Sequence, residues 1–335
     1  MTRLVSTLLA LLSAALFVAG CGGGDDARSA STAGSSTTAS SAAAADAFPV
    51  TVRHAQGTAT IPGPPRRVVA LGAADVQIAR ALGAELVGAS TNDSSPDGQW
   101  LGVDPPLPGS VAKLPAIEPD IERIASLRPD LILITTAQPS YSRLYETLAK
   151  IAPVISYRKG LLEDSGDDLT RLIGAALGRS EQAEALIARS GRQLDAFARE
   201  HRELEGKRIV FGQHAARTTY LVVAATAPST VAFERLGMRL PGSLAKLPVQ
   251  AAPGIAVISE EKLGLLDAAD YVVLGVASPA VGRTFLAGPV VSRLGITERG
   301  GIRFIDFNEA TVLLAPNPAV TGTLLDLLQE LLRER

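Results

Sequence analysis

Few residues in this 335-residue chain belong to types that carry out chemistry by themselves. The single cysteine excludes an intramolecular disulfide and a cysteine-based zinc site. Three histidines, His54, His201 and His214, lie on three separate predicted elements, which argues against a three-histidine metal cage. The folded part contains no nucleophile elbow, no phosphate-binding glycine loop and no dinucleotide fingerprint. We therefore do not expect an enzyme, or a metal or cofactor held by the protein's own residues.

Aromatic residues are only 4% of the chain, so those near predicted loops are informative. Trp100 is the only tryptophan and lies in a polar loop rich in Gly and Pro, which favours a stacking surface over a core position. Tyr141 and Tyr145 lie four residues apart on one face of a predicted helix, where one of them can be core. The other candidates come after predicted strands: Tyr157, Arg158, His214, Arg217 and Tyr220.

Loops at the carboxyl ends of strands are where open α/β sheets bind ligands, so these residues are predicted to line a ligand cleft. For Arg158 and Arg217, a solvated loop position explains each residue equally well. The formal net charge of −2 argues against nucleic acid as a partner, since such proteins carry a basic face.

Residues 1–21 have the layout of a secretory signal. Arg3 precedes an almost purely apolar stretch that is shorter than the roughly 20 residues of a transmembrane helix. The stretch ends in Val18-Ala19-Gly20-Cys21, which resembles the bacterial lipobox. We predict a lipoprotein signal peptide over 1–21, lipidation at Cys21 and a disordered tether over 22–47 that is rich in Gly, Ser, Thr and Ala. An apolar anchor that is never cleaved is the alternative.

From Phe48 onward the pattern becomes regular. The segment PVTVRHAQGTATIP predicts a β-hairpin, and strands then alternate with helices, including one helix over 140–151. This alternation predicts parallel βα units over 48–166, and again over 205–335 from the strands KRIVFG and YLVVAA. Between the two halves, residues 167–204 contain only helical patterns. A helix over 180–204 would be about 37 Å long and could bridge two α/β lobes.

The two halves repeat a short pattern. IERIASL precedes Asp130 and an apolar strand, while EKLGLL precedes Asp270 and another apolar strand. Glu122 and Glu261 occupy matching places in the two segments, although Glu260 leaves the second assignment open by one residue. An amphipathic helix that leads into a buried strand has the same appearance, so the repeat alone does not establish a function.

Several strings resemble the periplasmic-binding-protein family for iron–siderophore and cobalamin uptake. They are VTVRHAQGTATIPGPPRRVVALG, IEPDIERIASLRPDLILIT, LAKIAPVISY and LTRLIGAALGRSEQAEALI. The resemblance covers residues 50–335 and is strongest up to residue 190. It implies an α/β fold with two Rossmann-like lobes joined by a single long rigid helix, which is the class III architecture, with the ligand between the lobes and little closure on binding.

The resemblance also implies functional partners. Glu122 and Glu261 match the two glutamates that pair with arginines of an ABC-transporter permease. A ferric siderophore is commonly anionic, so the predicted cleft arginines suit its oxygen atoms. Haem or cobalamin remains the alternative ligand, and His214 keeps haem open as an axial ligand. We expect an extracytoplasmic monomer, attached to the cell membrane only by its lipid.

Overall fold

The computed structural model describes residues 47–333. The predicted signal peptide, its Cys21 and the tether up to residue 46 lie outside the described residues, and so do the last two residues. Within the described range no helix is both long and apolar enough to cross a membrane.

The described chain opens with the predicted antiparallel hairpin. Strand β1 (Val50–His54) pairs with β2 (Gly57–Ile61), and Val50 lies opposite Ile61. Buried and exposed side chains alternate along both strands, because a hairpin with one face on the core exposes every second residue. The turn attaches the hairpin to the body of the protein, since Ala55 N–H donates to the carbonyl of Tyr157 at 2.8 Å.

The first large sheet has five parallel strands in the order β5-β4-β3-β6-β7. Its strands are β3 (Val68–Ala70), β4 (Leu86–Ser90), β5 (Ala112–Leu114), β6 (Leu131–Leu133) and β7 (Val154–Ile155). Its helices are α1 (Ala73–Ala81), α2 (Ile121–Ser126), α3 (Pro139–Ser142), α4 (Tyr145–Leu148) and α5 (Gly166–Leu177). We call this sheet with α1–α5 the N lobe.

One helix predicted for the N lobe is wrong. Residues 140–151 form the two short helices α3 and α4, because Leu144 leaves the α conformation with φ −100° and ψ 14°. Tyr141 and Leu148 are both fully buried in the core.

The next helix, α6 (Ser180–Glu200), connects two cores. Ala183 and Leu186 pack in the core on the α1 and α5 side of the N lobe, while Phe197 packs in the core of the second sheet. The 21-residue helix is therefore about 32 Å long. It ends at Glu200 and not at residue 204, because His201 turns the chain with φ −112° and ψ 55° and a 3₁₀ turn, Arg202–Leu204, follows.

The second sheet has six strands in the order β10-β11-β9-β8-β12-β13. They are β8 (Ile209–Ala215), β9 (Thr218–Val222), β10 (Val249–Ala252), β11 (Ile255–Ile258), β12 (Tyr271–Val276) and β13 (Ile302–Ile305). The helices are α7 (Pro228–Arg235), α8 (Pro279–Leu286), α9 (Gly295–Glu298), α10 (Phe307–Leu314) and α11 (Thr321–Leu331), with 3₁₀ helices Glu260–Ala268, Val291–Arg293 and Pro318–Val320. We call this sheet with α7–α11 the C lobe.

Only part of the C-lobe sheet is parallel. Strands β8, β12 and β13 run parallel, whereas β8–β9, β9–β11 and β11–β10 are antiparallel pairs. The predicted βα alternation is wrong at its first step, because only two residues separate β8 from β9. A link of two residues makes a hairpin, while a parallel crossover needs a dozen or more.

Buried polar contacts join the two lobes. The side chain of Asn317 donates to Gln77 Oε1 at 2.9 Å, and Gln77 Nε2 donates to the Leu101 carbonyl at 2.8 Å. Gln77 belongs to α1, whereas Asn317 leads into the last helices of the C lobe. Gly166 lies so close to the Pro316 carbonyl that a Cβ there would be 2.3 Å from the oxygen. Such a close, hydrogen-bonded contact disfavours large changes in the angle between the lobes.

Candidate ligand cleft

The candidate site lies where the carboxyl ends of the two sheets approach each other. Asn92 follows β4 and Asn308 begins α10 after β13, and Asn92 Nδ2 donates to Asn308 Oδ1 at 2.6 Å. Asn92 Oδ1 also accepts from Ser94 N–H at 3.0 Å, which fixes the amide orientation. The strand ends of the N lobe and those of the C lobe therefore meet at this polar contact, which marks the candidate ligand cleft.

A buried carboxylate supports the N-lobe wall. Asp75 on α1 is fully buried and accepts from Thr135 N–H at 3.1 Å, from the Thr135 hydroxyl and from Thr136 N–H at 3.4 Å. Burial raises the pKa of Asp75 to about 6 despite these hydrogen bonds. Asp75 was not among the predicted site residues, although an acid in the first turn of a helix after a buried strand was a usable signal.

The segment after β7 forms the next part of the wall. Asp164 is buried, and its carboxylate accepts from the backbone N–H of Arg158 at 2.6 Å and of Lys159 at 3.3 Å. The Arg158 side chain is thereby exposed at the strand-end edge, and Tyr157 beside it is half-buried. This placement is compatible with the binding role predicted for both residues.

Three aromatic residues that were predicted to line the cleft make contacts with other parts of the protein. Trp100 is half-buried against the N-lobe core, and its Nε1 donates to the Ser90 carbonyl at 2.8 Å. Tyr141 is 0% exposed and donates its hydroxyl to the Pro115 carbonyl, so the structure places it in the core and not on the cleft. Burial raises the pKa of Tyr141 to about 12. Tyr145 packs edge-on against His54 of the hairpin, with 5.4 Å between ring centroids.

The sequence predicts a loop over residues 212–220, after the strand KRIVFG, but the structure forms the β8–β9 hairpin there. Successive residues of a strand point to opposite faces, so Gln213 and Tyr220, which lie opposite each other, share one face. The Gln213 side chain packs beside α10, since a Cβ on Gly275 would meet both Gln213 and Phe307. Tyr220 is therefore on the α10 side, the side that carries Asn308.

His214 lies on the opposite face of the same hairpin. Its Nδ1 is 2.9 Å from Thr219 Oγ1, and its ring lies 4.7 Å from that of Phe285 on α8. Burial lowers the pKa of His214, which favours the neutral ring. The residues therefore do not form one group, because alternation along β8 separates His214 from Tyr220.

Arg217 is at the tip of this hairpin. Ala216 and Arg217 both have positive φ, 47° and 67°, as a tight two-residue hairpin turn requires. The Arg217 side chain is 84% exposed, and its Nη2 donates to Glu260 Oε1 at 3.0 Å. Arg217 is thus at the C-lobe strand edge, as predicted, with Glu260 as its partner.

Glu122 and Glu261 occupy corresponding places in the two lobes. Glu122 is in the first turn of α2, after β5 and before β6, and β6 pairs with β3, the first strand of its sheet. Glu261 is in the first turn of a 3₁₀ helix, after β11 and before β12, and β12 pairs with β8. Both side chains are exposed, and within the described chain neither forms an ion pair, whereas Glu260 pairs with Arg217.

The described residues contain no cluster of three or more His, Cys, Asp and Glu side chains that could hold a metal ion. The donors and acceptors at the cleft are instead amides, hydroxyls, arginines and tyrosines. Such groups can recognise a polar ligand through hydrogen bonds and charge.

The sequence profile described as Periplasmic binding protein matches residues 68–240, just over half of the chain. The chain therefore belongs to the periplasmic-binding-protein family. Its similarity to solved structures agrees with this assignment and confirms the predicted fold, two α/β lobes joined by a long helix.

Two solved structures illustrate the likeness of fold. One is a periplasmic solute binding protein from Mycobacterium smegmatis str. MC2 155, with a TM-score of 0.70, 24% identity and coverage of 84% of this chain and 96% of that chain. The other is PiaA of Streptococcus pneumoniae TIGR4 in complex with ferrichrome, with a TM-score of 0.69, 21% identity and the same two coverages.

Two curated relatives bind iron chelates according to their names. The Fe(3+)-citrate-binding protein YfmC of Bacillus subtilis (strain 168) is 28% identical over 167 residues, which are 48% of this chain and 50% of YfmC. The ferric-anguibactin-binding protein FatB of Vibrio anguillarum (strain ATCC 68554 / 775) is 23% identical over 271 residues, 77% of this chain and 80% of FatB. The chain spans only 41%, 42% and 50% of the length of three Bacillus subtilis relatives.

Proposed function

We propose that the protein is the substrate-binding lipoprotein of an ABC importer, which captures a ferric siderophore between its lobes and delivers it to the permease. The observation that carries the proposal is the cleft between two sets of strand ends, held by the Asn92–Asn308 hydrogen bond and the buried Gln77–Asn317 contact. The relatives that bind ferric citrate and ferric anguibactin support an iron chelate as the ligand.

In this proposal the two lobes contact different parts of the chelate. Tyr157 and Arg158 of the N lobe and Arg217 and Tyr220 of the C lobe offer aromatic faces and charged donors at the strand ends. Charged hydrogen bonds and stacking hold an oxygen-rich chelate without contact to its iron. We leave Tyr141 out because it is buried in the core.

Delivery requires a membrane partner. Glu122 and Glu261 are exposed on matching elements of the two lobes, without an ion-pair partner among the described residues, so they can meet two arginine clusters of a permease together. The same proposal includes processing and lipidation at Cys21 and an extracytoplasmic location at the cell membrane. It also includes a monomeric state and a tether over residues 22–47. A Cys21→Ala variant recovered with the same lipid would contradict the anchor.

The test for the ligand is fluorescence of Trp100, the only tryptophan. Ferrichrome, ferric citrate and a ferric catecholate are each titrated into the protein, with haem and cobalamin as comparisons. We expect saturable quenching by at least one ferric siderophore, and Arg158→Ala or Arg217→Ala to weaken its binding by about 1.5–3 kcal/mol. Absence of binding by every iron chelate would overturn the proposal.

Haem or cobalamin on the same scaffold is the second candidate. The position of His214 weighs against haem in the cleft, because its ring packs on Phe285 and is on the face opposite to Tyr220. A haem Soret band that disappears in His214→Ala, together with no response to siderophores, would replace the siderophore by haem.

A further inference from the structure

The C lobe has a pocket of about 410 Å³ beside the candidate ligand cleft. His214, on its wall, lies near the carboxyl end of β8 and opposite the last residue of β12. Arg217 at the tip of the β8–β9 hairpin and its ion-pair partner Glu260 also line it. Tyr220 is on the other face of this hairpin. The pocket and the contact between the lobes are therefore at the same sheet edge, on opposite faces of the C-lobe sheet.

The wall of this pocket is mostly apolar and contains two aromatic rings. The ring of Phe285 lies 4.7 Å from that of His214, with 59° between the two planes. Aliphatic side chains complete the wall, and they are Leu263, Pro289, Val290 and Val291. Two rings in a tilted arrangement offer both a face and an edge to a third ring. An apolar pocket with few polar groups is typical of a site for a flat organic group.

His214 supplies a polar atom to the pocket wall. Its Nδ1 is 2.9 Å from Thr219 Oγ1, and within the described chain its Nε2 has no hydrogen-bond partner. Burial lowers the pKa of His214, so the ring is neutral at neutral pH and tolerates an apolar neighbour. A hydroxyl group on a bound aromatic ring can donate to or accept from Nε2, whichever tautomer is present.

Charged and apolar groups lie at different depths in the pocket. Arg217 and Glu260 are exposed to solvent. Leu263, Phe285 and Val291 are buried. The charged groups are therefore at the mouth of the pocket and the apolar groups at its base. This arrangement suits a ligand whose iron centre stays near the mouth while an uncharged arm enters the pocket.

We propose that this pocket binds an uncharged aromatic arm of the iron chelate beside His214 and Phe285, and so selects chelates with such an arm over compact ones such as ferric citrate. This inference rests on the proposed function and adds the class of chelate. The iron-bearing part stays in the cleft, where Arg158 and Arg217 contact its oxygen atoms. The arm supplies the selectivity, because a buried aromatic ring removes apolar surface from water and a compact polar chelate has little such surface.

The first test uses the arm without the chelate. Benzamide and 4-hydroxybenzamide are titrated into the protein, with acetamide as the control that lacks the ring. NMR follows the methyl signals of Val290 and Val291 and the ring signals of His214. We expect saturable shifts with both aromatic amides, about threefold tighter binding of the hydroxylated one, and no shifts with acetamide. Absence of shifts at these three residues would overturn the proposal.

The second test measures selection of the whole chelate. Two ferric trihydroxamates are compared, ferrioxamine B acylated at its terminal amine with a benzoyl group or with an acetyl group. They share one iron centre and differ in the aromatic ring. Binding is measured by quenching of Trp100, and ferric citrate is titrated in the same way. We expect the benzoyl form to bind about tenfold more tightly than the acetyl form.

A variant that fills the pocket should remove this preference. Val290→Phe narrows the pocket, and Val249→Phe adds the same side chain at an exposed valine of β10 that does not line it. Val290→Phe should bind the two trihydroxamates within about twofold of each other, and Val249→Phe should keep the tenfold preference. The thermal unfolding midpoint checks that both variants fold. If Val290→Phe does not fold, Thr284→Phe replaces it, because Thr284 lines the same pocket and is exposed.

The remaining outcomes separate this inference from the proposed function. Equal affinities for the two trihydroxamates, or binding of ferric citrate alone, would overturn the selection of an aromatic arm and keep the proposed function. A preference for the benzoyl form that persists in Val290→Phe would place the ring outside this pocket and overturn the inference. Aromatic amides that bind here in a protein that binds no iron chelate would reject the proposed function and, with it, the role of the pocket in iron uptake.

Discussion

The N and C lobes use the same connection with different local chemistry. In each lobe, an aspartate just before a central strand forms a backbone hydrogen bond with the residue that precedes the first strand of the sheet. Asp130 N–H donates to the Arg67 carbonyl at 3.0 Å, and Asp270 N–H donates to the Arg208 carbonyl at 2.8 Å. The carboxylate of Asp130 accepts only from the backbone, whereas Asp270 also receives both Nε and Nη2 of Arg208.

The arginines account for the difference. Arg67 turns its guanidinium to the carbonyls at the end of α2, those of Leu127 and Arg128. Arg208 instead grips Asp270 with two parallel hydrogen bonds and lowers the pKa of that carboxyl to about 2. The two lobes therefore share the backbone connection, while the ion pair is particular to the C lobe.

The largest expected effect concerns the two glutamates as matching docking points. Glu122→Ala and Glu261→Ala should each reduce iron uptake, and the double variant should reduce it by about a hundredfold or more, because a rigid body then loses both points of registration. Chelate affinity, measured in solution by Trp100 quenching, should stay within twofold. A tenfold loss of chelate affinity would instead place the glutamates in the cleft and contradict their role as matching docking points.

Close backbone approaches in each lobe give the next largest effect. A Cβ on Gly72 would lie 2.3 Å from Thr136 Oγ1 and 2.4 Å from the Thr136 carbonyl carbon, and one on Gly212 would lie 2.1 Å from the Tyr220 carbonyl oxygen. Gly72→Ala and Gly212→Ala should each lower the free energy of unfolding by about 2–4 kcal/mol in urea titrations.

Matched controls exist in both lobes. Gly63 and Gly264 have no heavy atom within 4 Å of a built Cβ. Their alanine variants should change the free energy of unfolding by no more than about 0.5 kcal/mol. Equal losses in test and control variants would show that the close approaches are not what makes Gly72 and Gly212 necessary.

Asp75 in the N lobe predicts a pH dependence of the free energy of unfolding. The pKa of Asp75 is about 6 in the folded protein, against 3.8 for a free side chain. Between these two pH values the folded state therefore holds a proton that the unfolded state has lost. The contribution of Asp75 to stability is therefore present below about pH 4 and is lost as pH rises through about 6, by up to ~3 kcal/mol.

The measurement is the difference in unfolding free energy between wild type and Asp75→Asn from pH 4 to pH 7. Asparagine resembles the protonated acid, so the variant should gain relative stability as pH rises. A difference that does not vary with pH would mean that Asp75 is ionised in the folded protein throughout this range.

The smallest expected effect tests the Arg208–Asp270 pair. The pKa of Asp270, about 2, lies below the ordinary value of 3.8. The pair therefore contributes stability above about pH 4, and this contribution is lost as the pH falls through 2. Arg208→Ala should cost about 1–2 kcal/mol at pH 7, a range reduced for the partial exposure of both side chains, and less in acid.

Arg67→Ala is the matched variant in the N lobe. It removes hydrogen bonds to carbonyls, for which we expect a loss of about 1 kcal/mol with no dependence on acid. The same acid dependence in Arg67→Ala and Arg208→Ala would contradict the distinction between the two lobes.

Local patterns predicted most of the elements correctly. The hairpin around Gln56, the central strands and the helix that begins at Ser180 follow from alternation and helical spacing, which act over neighbouring residues. Strand β5 was missed because only three residues form it, inside a polar segment. The break at Leu144 was missed because the helical spacing of Tyr141, Leu144, Tyr145 and Leu148 continues through it.

The cleft was harder to predict than the elements. The sequence placed Tyr157, Arg158 and Arg217 near strand ends, where they are found. It could not distinguish the two faces of β8, because strand and loop were confused over 212–220, and so His214 and Tyr220 were put together. Asp75 was missed because its partners, Thr135 and Thr136, are some 60 residues away along the chain.

Periodicity and motif spacing are local properties, and they were enough to predict the α/β class, the order of the main elements, the family and the matching positions of Glu122 and Glu261. The burial of Tyr141, the hairpin of β8 and β9 and the contact of Asn92 with Asn308 across 216 residues of chain became clear only from the folded protein. Such contacts depend on the packing of the two sheets and the helix between them, which pair residues regardless of their distance in sequence.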